Sequence, residues 1–132
     1  MEQKICVDTD VLIDFTKGSP SAVQFFQDYH QKASLMTTTI NLYELYLGAN
    51  LARNKEKETK IVDTLKESLH VLPFSENTAK IAAETAAKLQ QKGKMIDHRD
   101  IFIAAIATQH GCTLKTNNVK HFERIDGLSI LG

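Results

Sequence analysis

The stretch ICVDTD, residues 5–10, joins a short apolar run directly to acidic residues. Ile5-Cys6-Val7 has the composition of a short buried strand, and Asp8 follows it without any intervening turn residue. In an open α/β sheet, ligands bind at the edge where the strands end and the following helices begin. A buried strand has no structural need for a charge at its end. The stretch therefore predicts that Asp8 lies at the ligand-binding edge of an α/β sheet.

Strand and helix signals alternate along the rest of the chain. Strands are predicted at residues 4–7, 35–37, 71–74, 113–116 and 128–131. Helical segments are predicted at residues 11–15, from the Ser19-Pro20 cap onward, at residues 40–49, within 50–68, at residues 75–93 and at residues 97–110. This alternation is typical of a parallel sheet with helices on both faces. We expect one domain, residues 1–132, folded as a three-layer α/β/α sandwich with a mainly parallel central sheet.

Composition is that of an ordinary globular protein, with 42% hydrophobic and 24% charged residues. Sixteen basic and sixteen acidic side chains cancel, so the net charge neither requires nor excludes a polyanionic partner. The longest apolar stretch, residues 101–107, is far shorter than the roughly 20 residues that span a membrane. The first strand signal leaves no room for a signal peptide. Cys6 and Cys112 form no CxxC pair, so we expect buried, reduced thiols in a cytoplasmic protein.

Two further acids lie early in other predicted helices. Glu44 shares a helical stripe with Ile40, Leu47 and Leu51, and we expect this stripe to pack inward. Asp100 precedes residues 101–107, which are all apolar, so its helix is expected to be buried. An ionised carboxylate in such surroundings is costly unless a cation or hydrogen-bond donors satisfy it. A cation shared by Asp8, Glu44 and Asp100 explains all three acids together.

Each acid also has a structural interpretation. Asp97 fits the N-cap of its helix, and Asp100, three residues later, fits the partner position of a capping box. Capping explains Asp97 well, but it does not explain why an acid, Asp100, directly precedes the apolar residues 101–107. If a metal binds, oxygen ligands without a His or Cys cluster favour Mg²⁺ or Mn²⁺ over zinc.

Four segments in order resemble the motifs of PIN-domain nucleases. They are VDTDVLID at residues 7–14, TTTINLYEL at 37–45, DIFIAA at 100–105, and LKTNNVKHF at 114–122 followed by Gly127-Leu128. Their order and spacing agree over essentially the whole chain. With no appended domain, the chain is most similar in size to the VapC-type toxins of toxin–antitoxin pairs.

The resemblance implies a Mg²⁺- or Mn²⁺-dependent endoribonuclease, usually a homodimer that a small antitoxin holds inactive. Asp8, Glu44 and Asp100 take the places of the family's metal-binding acids. The fourth acidic position is often Asp in the family but is Asn118 here, whose amide oxygen can still bind metal without adding charge. Asp97 is a further acid that could compensate. The hydroxyls of Thr9 and Thr116 are candidate supports for the acids.

Three basic residues lie within or just after the run LKTNNVKHF of the closing motif. Lys115, Lys120 and Arg124 could bind the phosphates of RNA, or they could form an ordinary solvated surface. Apolar surface on Tyr43, Tyr46 and Leu47 exceeds what a small core needs, which favours a homodimer.

Two other functions are compatible with parts of the sequence. Asp8-Thr9-Asp10 also looks like the opening motif of haloacid-dehalogenase-type phosphatases, in which the first Asp is a nucleophile. Those proteins usually continue with Gly-Thr, whereas this chain has Val11-Leu12, and they need a downstream Lys and a further acidic pair. The other alternative, favoured by Asn118, is a catalytically weak PIN scaffold that binds RNA or protein. Mn²⁺-dependent RNA cleavage separates the nuclease from the scaffold.

Overall fold

The computed structural model describes residues 2–132 of the chain. Within these residues, strands and helices alternate as the sequence predicts. The strands are β1 (Gln3–Val7), β2 (Ala33–Thr38), β3 (His70–Leu72), β4 (Thr113–Lys115) and β5 (Ile130–Leu131). The helices are α1 (Thr9–Thr16), α2 (Pro20–Tyr29), α3 (Thr39–Leu51), α4 (Lys55–Glu67), α5 (Glu76–Gln91), α6 (His98–Gln109) and α7 (Val119–Phe122).

The described strands form one sheet in the order β3-β2-β1-β4-β5, and every neighbouring pair is parallel. β1 lies at the centre, where Ile5 pairs with Leu35 of β2 on one side and with Thr113 of β4 on the other. A central parallel strand has no face in contact with water, which explains why its end reads as continuously apolar. The expected α/β class with a parallel sheet is confirmed.

Two apolar layers cover the two faces of the sheet. Ile5 and Val7 face the layer that α1–α4 supply, which includes Phe25, Leu45 and Leu65. Cys6 faces the opposite layer, built mainly by α5 and α6. Consecutive residues of a strand point to opposite faces, so the run Ile5-Cys6-Val7 contributes to both cores. The three-layer sandwich follows from this arrangement.

Several element boundaries differ from the sequence prediction. α1 begins at Thr9 rather than at residue 11, because the Asp8 side chain caps it by accepting a hydrogen bond from the Thr9 backbone N–H at 2.8 Å. The charged segment at residues 50–68 is divided between two helices: residues 50–51 end α3, and α4 begins at Lys55, where the Asn54 side chain caps it. The short helix α7 was not predicted. Cys6 and Cys112 are buried free thiols, as expected. Among residues 2–132, no helix combines the length and the apolar character needed to cross a membrane.

The predicted inward face of α3 is wrong. The residues that this helix buries are Asn41, Leu45 and Ala49. Leu47 and Leu51, expected to face the core beside Glu44, are 40% and 78% exposed. α3 carries apolar residues on nearly every side, so their spacing does not select one face. The inner face of α3 also includes a polar residue, Asn41, which a pattern of apolar residues cannot predict to be buried.

Candidate active site

The candidate site lies at the carboxyl edge of the three inner strands. Asp8 follows β1, Thr38 ends β2, and Thr116 follows β4. The chain leaves β1 toward the face covered by α1–α4, whereas the Phe122 side chain of α7, after β4, packs in the opposite layer. Such a switch in direction between neighbouring strands opens a crevice where ligands bind in α/β sheets. Asp8 and the segment after β4 lie at this crevice.

The Asp8 carboxylate is the centre of a hydrogen-bond network. Its Oδ1 accepts bonds from the Thr9 backbone N–H at 2.8 Å and from Asn41 Nδ2 at 3.0 Å. Its Oδ2 accepts a bond from the Thr116 hydroxyl at 2.7 Å. Burial raises the pKa of Asp8 above its ordinary value, although these three bonds act in the opposite direction. The three hydrogen bonds therefore fix the position of Asp8, but they do not fully offset the cost of burying its charge.

Asn41 connects Asp8 to β2 and α3, and the sequence analysis assigned it no role. Its Nδ2 donates to Asp8 and to the Thr9 hydroxyl, the latter at 2.9 Å. Its Oδ1 accepts from the Thr38 hydroxyl at 2.7 Å and from the Thr38 backbone N–H at 3.3 Å. The Thr38 hydroxyl in turn accepts from the Asn41 backbone N–H, which completes a capping box. The position of Asn41, three residues after Thr38, was the sequence signal that could have identified Asn41 as a capping-box residue.

Glu44 joins the same network through Thr9. Its Oε1 accepts a hydrogen bond from the Thr9 hydroxyl at 2.7 Å, and its Oε2 lies 3.6 Å from Arg99 Nη1. The Glu44 side chain is 23% exposed. Thr9 thus lies between Glu44 and the Asn41 amide that binds Asp8, and both acids are on the same edge of the sheet. This arrangement assigns a specific contact to Thr9, which the sequence offered only as a candidate support.

Asp100 lies in the first turn of α6 and is close enough to Asp8 for their charges to interact. Burial is the main cause of its raised pKa, and the charge of Asp8 is the second. His121 Nδ1 lies 3.5 Å from Asp100 Oδ2. Asp10, in the first turn of α1, shows the same effect, because burial and then the charge of Asp8 raise its pKa to about 6. The edge therefore concentrates negative charge.

Asp97 behaves as the capping interpretation predicts. Its side chain caps α6 by accepting from the Arg99 backbone N–H at 2.8 Å, and it is half exposed. Hydrogen bonds from the Arg99 side chain are the main reason that the pKa of Asp97 is lowered. Its contacts are thus made with Arg99, a residue that the sequence analysis did not single out. The compensating metal-ligand role suggested for Asp97 stays a prediction.

Asn118 is tied to the site by two contacts. Its backbone N–H donates to the Thr116 hydroxyl at 2.9 Å, and the same hydroxyl donates to Asp8. Its side-chain Nδ2 lies 2.8 Å from His121 Nδ1, next to Asp100. His121 was missed by the sequence analysis, although it belongs to the quoted closing motif. The Thr116 hydroxyl thus contacts Asp8 directly, while its supporting role and metal binding by Asn118 stay predictions.

The three basic residues near the closing motif differ in their surroundings. Lys115 Nζ donates to the Gly132 carbonyl at 2.7 Å and lies 5.2 Å from the centre of the Phe25 ring. Arg124 donates to the Met95 carbonyl at 3.3 Å, beside the layer of α5 and α6. Lys120, on α7, is exposed. Lys115 and Arg124 thus have different partners, and phosphate binding by these three residues stays a prediction.

The residues at this edge suit a hard divalent cation. Asp8, Glu44 and Asp100 offer carboxylate oxygens and Asn118 an amide oxygen, which is the donor chemistry that Mg²⁺ and Mn²⁺ prefer. Burial raises the pKa of Asp8, and burial followed by the charge of Asp8 raises that of Asp100, so a nearby cation would stabilise both ionised carboxylates. Within residues 2–132, however, no three His, Cys, Asp or Glu side chains are already arranged to hold a metal ion. The donor set therefore fits the cation, but the side chains must move to surround it.

Known proteins share both the sequence pattern and the fold. The model of the PIN domain family matches residues 5–128. Ribonuclease VapC2 of Haemophilus influenzae is 30% identical over 126 residues, which cover 95% of this chain and 94% of that protein. The tRNA(fMet)-specific endonuclease VapC of Salmonella typhimurium is 30% identical over 128 residues, which cover 96% of each chain.

Solved structures give the same result. A chain in the crystal structure of VapBC2 from Rickettsia felis, bound to a DNA fragment from their promoter, superposes with a TM-score of 0.91 at 26% identity, with 98% of both chains covered. A chain of VapBC-1 from nontypeable Haemophilus influenzae superposes with a TM-score of 0.87 at 27% identity, covering 98% of this chain and 97% of that one.

Proposed function

The chain belongs to the PIN-domain family, and from this premise we propose that it is a Mg²⁺- or Mn²⁺-dependent endoribonuclease, the toxin of a toxin–antitoxin pair that acts in the cytoplasm. The observation that carries the proposal is the hydrogen-bonded group of Asp8, Thr9 and Glu44, which lies beside Asp100 at the crevice of the sheet. The match of the PIN domain family to residues 5–128 supports it. Family membership removes the haloacid-dehalogenase alternative.

The chain's own residues supply the positioning that phosphodiester hydrolysis needs. When bound, a divalent ion activates water as a nucleophile and stabilises the charge on the leaving oxygen. Asp8, Glu44 and Asp100 would hold the ion, with the Asn118 amide oxygen as an uncharged fourth donor. The Thr116 hydroxyl and the Asn41 amide orient the two oxygens of Asp8. A carboxylate of this group can accept the proton that the attacking water loses.

The proposed protein partner is a small antitoxin. The solved structures that resemble this chain include VapBC assemblies from Rickettsia felis, Haemophilus influenzae and Salmonella typhimurium. Their similarity to this chain over almost its whole length supports an equivalent partner for it. The proposed substrate is RNA, in line with the ribonuclease names of its relatives.

RNA cleavage by the purified protein tests the enzymatic proposal. A labelled total RNA pool should be cut at internal sites in Mg²⁺ or Mn²⁺, and an excess of EDTA should abolish cutting because the acids then lack their cation. Restored cleavage after metal is added back would exclude damage by EDTA itself. If no RNA is cut with either metal, the scaffold alternative becomes the better account of this chain.

We also propose a homodimer that uses the outer face of α3. Tyr43, Leu47 and Leu51 are exposed on this helix, and neighbouring large apolar side chains in solvent are typical of interaction surfaces. Sedimentation velocity at micromolar concentration should therefore give the mass of a dimer. Leu47→Glu should shift the protein toward the monomer, because a charge would be buried in the interface. A monomeric mass for the unmodified protein at that concentration would contradict this proposal.

A further inference from the structure

Arg99 lies between two acids at the start of α6. Its Nε lies 3.2 Å from Asp97 Oδ1, and its Nη2 lies 3.2 Å from Asp97 Oδ2. Its remaining nitrogen, Nη1, lies 3.6 Å from Glu44 Oε2. The planar guanidinium thus makes two hydrogen bonds to Asp97 on one side, and its other side faces Glu44.

Both oxygens of Glu44 consequently have a partner within the chain. Thr9 donates to Oε1, and Arg99 approaches Oε2. The Glu44 side chain is mostly buried, so its attraction to a cation is screened less than it would be on an open surface. Within residues 2–132 no three acidic, histidine or cysteine side chains are already arranged around one point. Arg99 already provides Glu44 with a counter-charge from within the chain.

We propose that Arg99 is a positioning residue that occupies Glu44 in competition with the divalent ion and so lowers the affinity of the site for metal. This inference rests on the metal site of the proposed function. A guanidinium stays charged at all relevant pH values, so the competition is permanent rather than switched by pH. A divalent ion bound by Glu44 must displace this contact and must tolerate a positive charge nearby. Asp97 keeps the displaced guanidinium beside the crevice.

Calorimetric titration of Mn²⁺ into the full-length protein tests the inference. Arg99→Gln removes the competing charge and should tighten Mn²⁺ binding about tenfold, as expected for one unit charge near a partly screened site. Arg99→Lys keeps the charge and should stay within about threefold of the unmodified protein. Arg53→Gln is the matched control, since Arg53 is exposed in the loop between α3 and α4. It should leave the Mn²⁺ constant unchanged.

Thermal unfolding supplies a second readout that does not depend on catalysis. In EDTA, Arg99→Gln should unfold at a slightly lower temperature, because Glu44 loses its partner. Saturating Mn²⁺ should then raise its midpoint by about 4 °C more than it raises that of the unmodified protein, in line with tighter binding. A purely structural role for Arg99 would lower the midpoint in EDTA without changing the Mn²⁺ constant.

The outcomes separate this inference from the proposed function. Equal Mn²⁺ constants for the unmodified protein and Arg99→Gln would overturn the competition while leaving the metal site intact. Tightening of the same size in Arg99→Lys, or in the Arg53→Gln control, would overturn it as well, because charge at residue 99 would not be the cause. Absence of Mn²⁺ binding by the unmodified protein would overturn both the metal site and the competition.

Discussion

Asp8→Asn is expected to reduce RNA cleavage by at least about a thousandfold without weakening the metal-free fold. The substitution keeps the shape of the side chain but removes the charge that would hold the cation. An Asn oxygen can still accept from Thr9 and Asn41, and the Thr116 hydroxyl can rotate to accept from the new amide. Cleavage rates with the same RNA and Mn²⁺ concentration give the measurement.

The stability of Asp8→Asn should depend on pH in a defined direction. Burial raises the pKa of Asp8 in the folded protein above its ordinary value of 3.8, so stability falls as the pH rises above 3.8, and the full cost of the ionised group is present above the folded pKa. In EDTA at neutral pH, the variant should be equally stable or about 1 kcal/mol more stable than the unmodified protein. Below pH 3.8 this gain should disappear, because Asp8 is then protonated in both the folded and unfolded states.

Chemical denaturation at both pH values, with EDTA present, would check this expectation. Asp28→Asn is the control, since Asp28 is an exposed acid on α2 whose only side-chain partner in the described hydrogen bonds is Gln24. It should change neither cleavage nor stability appreciably. A loss of several kcal/mol in Asp8→Asn would mark Asp8 as a structural cap and would count against a functional carboxylate cluster.

Asn41→Ala is expected to have the largest effect on stability, a loss of about 2–4 kcal/mol in the free energy of unfolding. Asn41 is fully buried, and its amide contacts Asp8, Thr9 and Thr38. Removing it leaves several buried polar groups without a partner and releases one oxygen of Asp8. Cleavage should fall about a hundredfold, since a catalytic group displaced by about 1 Å loses that much.

Asn50→Ala provides the matched control for Asn41→Ala. Asn50 lies on the same helix but is exposed, and its side chain donates only to the Tyr46 carbonyl among the described hydrogen bonds. The control should lie within about 0.5 kcal/mol of the unmodified protein and should cleave normally. Equal stability losses for the two variants would show that the buried network around Asp8 does not depend on Asn41.

Local patterns predicted the elements of this fold with good accuracy. The apolar run before Asp8 became the central strand, and α2 begins at Pro20 directly after Ser19, although the Ser19 side chain makes no capping hydrogen bond. Thr38, directly before α3, caps that helix through its side chain. These features depend on residues within a few positions of one another, so the sequence contains all the information that they need.

The sequence was less informative about α3 and about the contacts of the site. The spacing of apolar residues placed Leu47 and Leu51 inward, whereas the structure exposes both. The closing basic residues were grouped by their proximity in the chain, whereas Lys115 and Arg124 have partners in different parts of the fold. The burial of a side chain on an apolar helix depends on which neighbouring elements cover it, and the helix itself does not specify them.

The sequence by itself determined the α/β class, the order of the strands and of helices α1–α6 along the chain, and the acids that end or begin them. Only the tertiary structure decided that Asn41 binds Asp8, that Thr9 binds Glu44 and that Arg99 lies between Glu44 and Asp97. The bonds from Asn41 to Asp8 and from Thr9 to Glu44 join residues 33 and 35 positions apart. Hydrogen bonds act over about 3 Å. Such pairs form only after sheet pairing and helix packing have set the distances between elements, which no local pattern records.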